Sequence, residues 1–393
     1  IIFLMLWYSK KITGHYWLGM IWSTILITSE GFIRVHVGRT GDHDAALSFF
    51  LFLSCFAFLK FVHEEDKKKK IRRLIGLTLL LYITFLTKSV VAFFFIPGFL
   101  IYAAVHKQLL PILRARSTYL AGVSLLGGVI AYYALMEYLN PGFMDGVRGH
   151  ALGRYTEAMG FVTHEDYYFK RLYESSYKYW IYFIPLGLSL VFSNRLKHGK
   201  QLGQLAVFCA VPFLLIITGS KTRYPWYDAP IYPLLAIIVG LGIYQVILFL
   251  QDWMKQSKFF PASSLLIYLV IGVFLLPYLR IVKQFEQWGH LDDYDQYGYI
   301  MEAVDKRHDV KTYKAYMTGY SPQLSFYISY YNQRKGYNIS LHREEGDFQV
   351  GDYVMFCQGS KRRFIEEKFT FEVVEGYGKN CRMLKLVGLQ DNN

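Results

Sequence analysis

Asp42 and Asp44 stand two residues apart at the start of a long apolar run, in the stretch HVGRTGDHDAALSFF, with His36, Arg39 and His43 beside them. A carboxylate so placed can take a proton from a hydroxyl, orient that hydroxyl, hold a cation or pair with Arg39. Ionisable groups at the edge of a bilayer cost free energy unless solvated or paired, so they tend to mark function. The plainer alternative is an Arg39–Asp ion pair, with Asp44 as the N-terminal cap of the following helix. A divalent cation on His36, Asp42, His43 and Asp44 is a third option, since imidazole and carboxylate bind zinc or manganese. Their spacing matches no strong metal pattern, and no cofactor is otherwise expected.

Two further groups could act with these carboxylates. In LTKSVVAFFFIP, Lys88 is the sole charge between apolar blocks, and a lysine there is a point charge suited to a phosphate. Its plain alternative is a snorkelling side chain between two helices. In GSKTRYPWYDAPIYPLL, Lys221 and Arg223 precede Pro225, Trp226 and Tyr227. Two cations beside an aromatic belt suit a lipid phosphate at the membrane interface. The alternative is an ordinary helix-start anchor shaped by Pro225 and Pro230. Carboxylates and cations together would suit a lipid-phosphate substrate. The sequence contains no GxxxxGK[ST] loop, no GxGxxG after a strand and no GxSxG elbow, which argues against ATP-driven chemistry.

The elements that must position these groups are membrane helices. Of 393 residues, 53% are hydrophobic and only 19% charged, and the apolar ones are gathered in long blocks. A crossing needs about 20 apolar residues. Crossings are expected near 16–33, 45–62, 74–87, 89–105, 117–139, 179–193, 203–219, 227–250 and 262–279. Residues 1–8 read as the tail of an earlier crossing, and with no initial Met the chain reads as N-terminally truncated.

The net charge of +13 is distributed as a topology signal, not as a nucleic-acid site. Lys10, Lys11, Lys67–Lys70, Arg72, Arg73, Lys107, Arg114, Arg116, Arg195, Lys197, Lys200, Lys255 and Lys258 fall in alternate loops. The positive-inside rule places those loops in the cytoplasm, with 34–44, Lys88, 140–178, 219–226 and the tail on the outer face. The loop 140–178 carries aromatics alternating with charge, a composition suited to the outer interface.

Two domains are expected. Residues 1–279 form the multi-pass membrane domain, and 290–393 form a small external α/β domain. In the tail, helices are read at Tyr297–Lys306, Ser321–Tyr331 and Lys361–Lys368. Strands are read at Lys311–Met317, Tyr337–His342, Tyr353–Cys357, Phe371–Glu375 and Arg382–Val387. Cys55 and Cys209 fall in crossings as small core residues. An oxidising compartment would permit Cys357 and Cys381 to pair, but sequence alone does not fix connectivity.

Taken in order, the three motifs resemble those of the C-type glycosyltransferases related to protein O-mannosyltransferases and lipid A aminoarabinose transferases (the family 39 type). HVGRTGDHDAALSFF resembles that family's second acidic motif. LTKSVVAFFFIP resembles its LTKGP segment, with Ser89 in place of the usual Gly and no Pro directly after it. SKTRYPWYDAPIYPLL resembles its SK-x-x-PWY-x-x-P-x-x-P segment, and the likeness covers about residues 16–250. The resemblance implies a GT-C fold and a donor sugar on a polyprenyl phosphate. It further implies transfer on the outer face with inversion, in a bacterial inner membrane or alternatively the eukaryotic endoplasmic reticulum, for cell-envelope work such as lipopolysaccharide or protein glycosylation. Lys88, Lys221, Arg223 and Arg39 are then candidates to stabilise the leaving phosphate, with His36 and Tyr227 beside them. Asp44 matches the second acidic position and Asp42 is its neighbour. The family's main base lies in a first external loop that this sequence, as it stands, does not contain.

Two other readings compete. A flippase of lipid-linked sugars would use the same cations, but would be expected to carry buried polar groups midway along its helices. An O-antigen ligase or polymerase type of transferase would concentrate its groups in one external loop, where Arg148, His150, Arg154 and His164 are available. Acceptors could be lipid, glycan or protein.

Overall fold

Within hydrocarbon every backbone N–H and C=O must be bonded inside the protein, so long apolar runs fold as helices. The computed structural model of the chain describes residues 1–14, 16–34, 36–38, 42–149, 153–156, 164–191, 199–256, 271–283, 293–318, 322–344, 348–378 and 380–390. Contacts divide the chain into two compact units, Ile1–Ile281 and Val282–Asn393.

The first unit is helical. It contains α1 (Ile2–Thr13), α2 (Tyr16–Ile27), α3 (Glu30–Ile33), α4 (His43–Val62), α5 (Lys67–Lys88), α6 (Ile96–Val105), α7 (Leu109–Arg114), α8 (Arg116–Leu139) and α9 (Phe143–Val147). α10 (Gly153–Thr156), α11 (Tyr167–Arg171), α12 (Ile184–Val191), α13 (Gly199–Thr218) and α14 (Tyr232–Gln256) follow, then α15, described over 271–283. Among the described residues, five segments are long and apolar enough to cross a bilayer: His43–Val62, Lys67–Phe93, Arg116–Leu139, Gly199–Thr218 and Ala229–Trp253. Tyr16–Ile27, Ile96–Val105 and Ile181–Val191 are shorter apolar helices.

That corrects the expected continuous crossing over 16–33. α2 ends at Ile27, and just beyond it Thr28 and Ser29 turn their hydroxyls onto the carbonyls of Thr24 and Ile25, both at 2.6 Å. Glu30 then opens the separate turn α3 and pairs with Arg34 and, at 3.6 Å, with Arg280. The expected 74–87 crossing is likewise longer, because α5 starts at Lys67 under the cap of Asp66, whose carboxylate accepts from the Lys69 N–H at 2.8 Å. Part of the expected 262–279 crossing lies outside the described residues.

Close helix packing in a membrane relies on small residues. α12 and α14 meet at Gly187 and Gly242, where a Cβ on Gly242 would come 2.9 Å from the Gly187 Cα. α8 is the opposite case: it buries none of its residues and turns Leu120, Val123, Leu126 and Ile130 outward.

The second unit is α/β. Its sheet has the order β2-β1-β3-β5-β4, with β1 (Thr312–Tyr316), β2 (Asn338–His342), β3 (Tyr353–Phe356), β4 (Phe369–Tyr377) and β5 (Cys381–Leu389). β1 pairs parallel to β2 and β3, while β5 pairs antiparallel to β3 and β4. Alternation along β1 sends Tyr313 and Ala315 into one core with α16 (Asp293–Arg307) and α17 (Pro322–Lys335). Tyr316 goes into the other core, with Ile365 of α18 (Gly359–Lys368). Each strand and helix expected in the tail is present within a few residues. Cys357 and Cys381 form a disulfide, one register step beyond the Phe356–Arg382 pair. Cross-strand register, which sequence leaves open, decides that pairing.

Candidate active site

α4 and α5 are joined only by residues 63–66, so they run antiparallel. The start of α4 and the end of α5 therefore lie together, a helix length of about 30 Å from the link. Asp42, not Asp44, is the N-cap of α4: its backbone is extended and its Oδ1 accepts from the His43 N–H at 2.5 Å. That frees Asp44, in the first turn, to point inward, where it is only 3% exposed. It forms an ion pair with Lys88, from the last turn of α5.

Lys88 is held on two sides. The Asp44 carboxylate takes one, and on another Nζ lies 4.9 Å from the centroid of the Tyr227 ring. About a quarter of the Lys88 side chain (24%) stays exposed, so the ammonium is not sealed. It opens on a cavity of about 370 Å³ whose walls include Leu47, Phe85, Val91, Tyr132, Tyr133 and Ile217. Ser89 follows at φ +52°, a conformation that favours glycine, and its Oγ lies 2.6 Å from the Tyr133 hydroxyl on α8. The resemblance noted above has glycine at that position.

His36 is paired elsewhere. Its ring bonds the Asp42 carboxylate and packs on Trp226 at 3.9 Å between centroids. Burial works against ionisation of Asp42, but the His36 ring and the His43 backbone N–H outweigh it and hold the carboxyl below its ordinary value. Asp42 thus caps α4 and pairs with His36. Lys221 is exposed, and its backbone N–H donates to the Tyr155 carbonyl at 3.1 Å. Arg223 is buried, with Nε donating to the Thr218 carbonyl at 3.2 Å. Neither Lys221 nor Arg223 lines the cavity. The structure thus brings together Asp44, Lys88 and Tyr227, with Asp42 and His36 as a second pair. Arg39, His150 and the Arg154 side chain lie outside the described residues. Arg148 pairs with Asp145 at 3.8 Å on the surface.

Sequence reasoning missed a second buried set: Arg171 and Asp228 pair at 3.5 Å, and the Tyr232 hydroxyl donates to the same Asp228 oxygen at 2.7 Å. The available signal was Asp228 itself, a carboxylate inside PWYDAP at the entry to an apolar run. Among the described residues, no group of three or more His, Cys, Asp or Glu side chains is placed to hold a metal ion.

Long apolar helices followed in sequence by a small five-stranded unit make up a GT-C fold. Among solved structures, the chain is similar to ArnT from Cupriavidus metallidurans. Against its apo state the TM-score is 0.62 at 13% identity, covering 99% of this chain and 82% of that one. Against the crystal structure bound to undecaprenyl phosphate the TM-score is 0.59 at 12% identity, covering 99% and 83%. No family model matches the sequence, and no curated protein matches it.

Proposed function

We propose that the protein is a membrane glycosyltransferase that moves a sugar from a polyprenyl-phosphate donor to an acceptor hydroxyl or phosphate, with inversion, on the outer face of a cell membrane. One observation carries this reading: a lysine held between a buried carboxylate and an aromatic ring at the mouth of an apolar cavity. Cleaving the sugar–phosphate bond builds negative charge on the leaving phosphate, and a fixed, partly desolvated cation lowers that barrier. Asp44 holds the ammonium of Lys88 in place, which makes it a positioning group for the phosphate end and leaves deprotonation of the acceptor to another group. Tyr132, Tyr133 and the exposed helix α8 form a thin apolar wall beside the cavity, suited to a prenyl chain arriving from the bilayer. The ArnT structure with undecaprenyl phosphate supports a lipid of this class. By the positive-inside rule the Asp44 end is the outer one and the α/β unit is external.

The test is reconstitution with a radiolabelled undecaprenyl-phosphate sugar and a crude envelope acceptor fraction, comparing wild type, Asp44→Asn and Asp42→Ala. Label should move to acceptor in wild type and fall roughly 100-fold with Asp44→Asn. Asp42→Ala should cost only a cap, about 1 kcal/mol of stability, and keep transfer within a few-fold. Label that crosses the bilayer on its carrier and never reaches an acceptor would replace the transferase by a flippase.

A further inference from the structure

The aromatic turn under Lys88 is gripped at both ends by one short helix from the long loop. The turn runs from Tyr224 to Asp228, with the Tyr227 N–H donating to the Tyr224 carbonyl at 3.2 Å and the Ala229 N–H to the Trp226 carbonyl at 3.1 Å. At its first end, the Tyr168 hydroxyl donates to the Tyr224 carbonyl at 3.1 Å. At its last end, Arg171 Nε faces Asp228 Oδ2 at 3.5 Å. Tyr168 and Arg171 both belong to α11. Between the two grips, the turn carries Trp226 against His36 and Tyr227 against Lys88.

The grip is costly to maintain, which argues for a use. Asp228 is fully buried and Arg171 only 9% exposed. Taking both charges out of water is repaid only when the geometry is good, and a hydrophobic pair is often as stable. Among the described residues neither Asp228 Oδ1 nor Arg171 Nε has a hydrogen-bond partner, so part of that desolvation cost stays uncompensated. Tyr232, the other partner of Asp228, is seated just as tightly. A Cβ on Gly31 would collide with its ring and hydroxyl, and would come 2.8 Å from the Ser176 Cβ.

We infer that α11 is a clamp for the candidate site, with Arg171 (through Asp228) and Tyr168 (through the Tyr224 carbonyl) as positioning residues. They set where the Tyr227 ring lies and hence how Lys88 is held against Asp44. A displacement of about 1 Å in such a support can cost on the order of 100-fold in rate, so the clamp matters to any chemistry done at Lys88. This inference rests on the reading of Lys88 as the phosphate-binding group, but it can be tested without the donor.

The experiment measures acetylation of Lys88 by a water-soluble N-hydroxysuccinimide ester in the full chain in detergent, read by peptide mass spectrometry. Lys67, exposed at the other end of α5, serves as the internal standard. Arg171→Met and Tyr168→Phe should each raise the Lys88-to-Lys67 labelling ratio, by about five-fold and about two-fold, and Arg171→Lys should restore most of the wild-type ratio. Gly31→Ala, which moves Tyr232 with no change of charge, should raise it too. Where Arg171→Met does not fold, Tyr168→Phe and Gly31→Ala decide. Ratios unchanged in variants that elute and melt like wild type would overturn the clamp. Undecaprenyl phosphate is then added as the protecting probe. Protection in wild type with a midpoint roughly ten-fold weaker in the clamp variants is the expected result. If it fails to protect Lys88 in wild type, the donor reading falls while the labelling ratio still judges the clamp.

Discussion

Asp44 and Asp228 are both buried, each forms an ion pair with one basic side chain, and each lies at the start of a long apolar helix. They differ in what surrounds the cation. Lys88 borders a cavity of about 370 Å³ and keeps 24% of its side chain exposed, whereas Arg171 keeps only 9% and does not line that cavity. A partly open cation can exchange its carboxylate for a ligand's phosphate. A cation as buried as Arg171 is far less open to such an exchange, and its charge serves to hold the turn beside it. On the proposed reading, burial alone does not mark a working group; access to a ligand does.

The largest expected effect falls on the sealed pair. Asp228→Leu leaves Arg171 buried without its counter-charge and should cost about 3–5 kcal/mol, while adding Arg171→Met should recover most of that loss. Thermal unfolding in detergent, followed by size-exclusion chromatography, measures both. A single variant as stable as the double would erase the contrast. Next comes the open pair, where Lys88→Ala should lower transfer roughly 100- to 1,000-fold. Its melting temperature should stay near that of wild type, because Asp44 can be hydrated from the cavity. A Lys88 variant that unfolds instead would make both pairs structural.

The smallest effect belongs to a third kind of pair, at the surface of the α/β unit. Lys335 and Tyr337 hold the Asp305 carboxyl below its ordinary value. The Gly376 N–H, with His308 and Arg307, outweighs burial and does the same for Glu375. A carboxyl depressed by folding stabilises the fold above its unfolded value, about 4 for both residue types, and loses that contribution as pH falls through the lower folded value. Hydrogen exchange of the β4 and β5 amides in the full chain, corrected for intrinsic rate, should show protection slipping below about pH 4 and flat from there to neutrality. Protection that slips near pH 6 instead would point to histidine.

Much of this was legible in the amino-acid order. Uninterrupted apolar length predicts membrane helices because the bilayer leaves the backbone no other partner, and α4, α13 and α14 follow it within a few residues. Alternation of period two found all five strands of the tail, since one face of a strand must be buried. Asp44, Lys88 and Tyr227 could be listed as candidates from their types and setting. What failed was local. α2 ended at Ile27, before Thr28 and Ser29, a break that hydropathy does not register. The plainer alternative of Asp44 as the cap of α4 is set aside, since the cap is Asp42 and Asp44 faces inward.

Sequence by itself determined which segments are helix or strand and which residues could carry charge at a membrane edge, because those follow from local solvation and backbone bonding. Tertiary structure alone decided who meets whom. Lys88 reaches Asp44 because α5 folds back on α4, Cys357 meets Cys381 through strand register, and Arg171 finds Asp228 because α11 packs on the turn before α14. Each of those pairings joins groups distant in the chain. Their energy exists only once the intervening helices have packed, so no local pattern announces them.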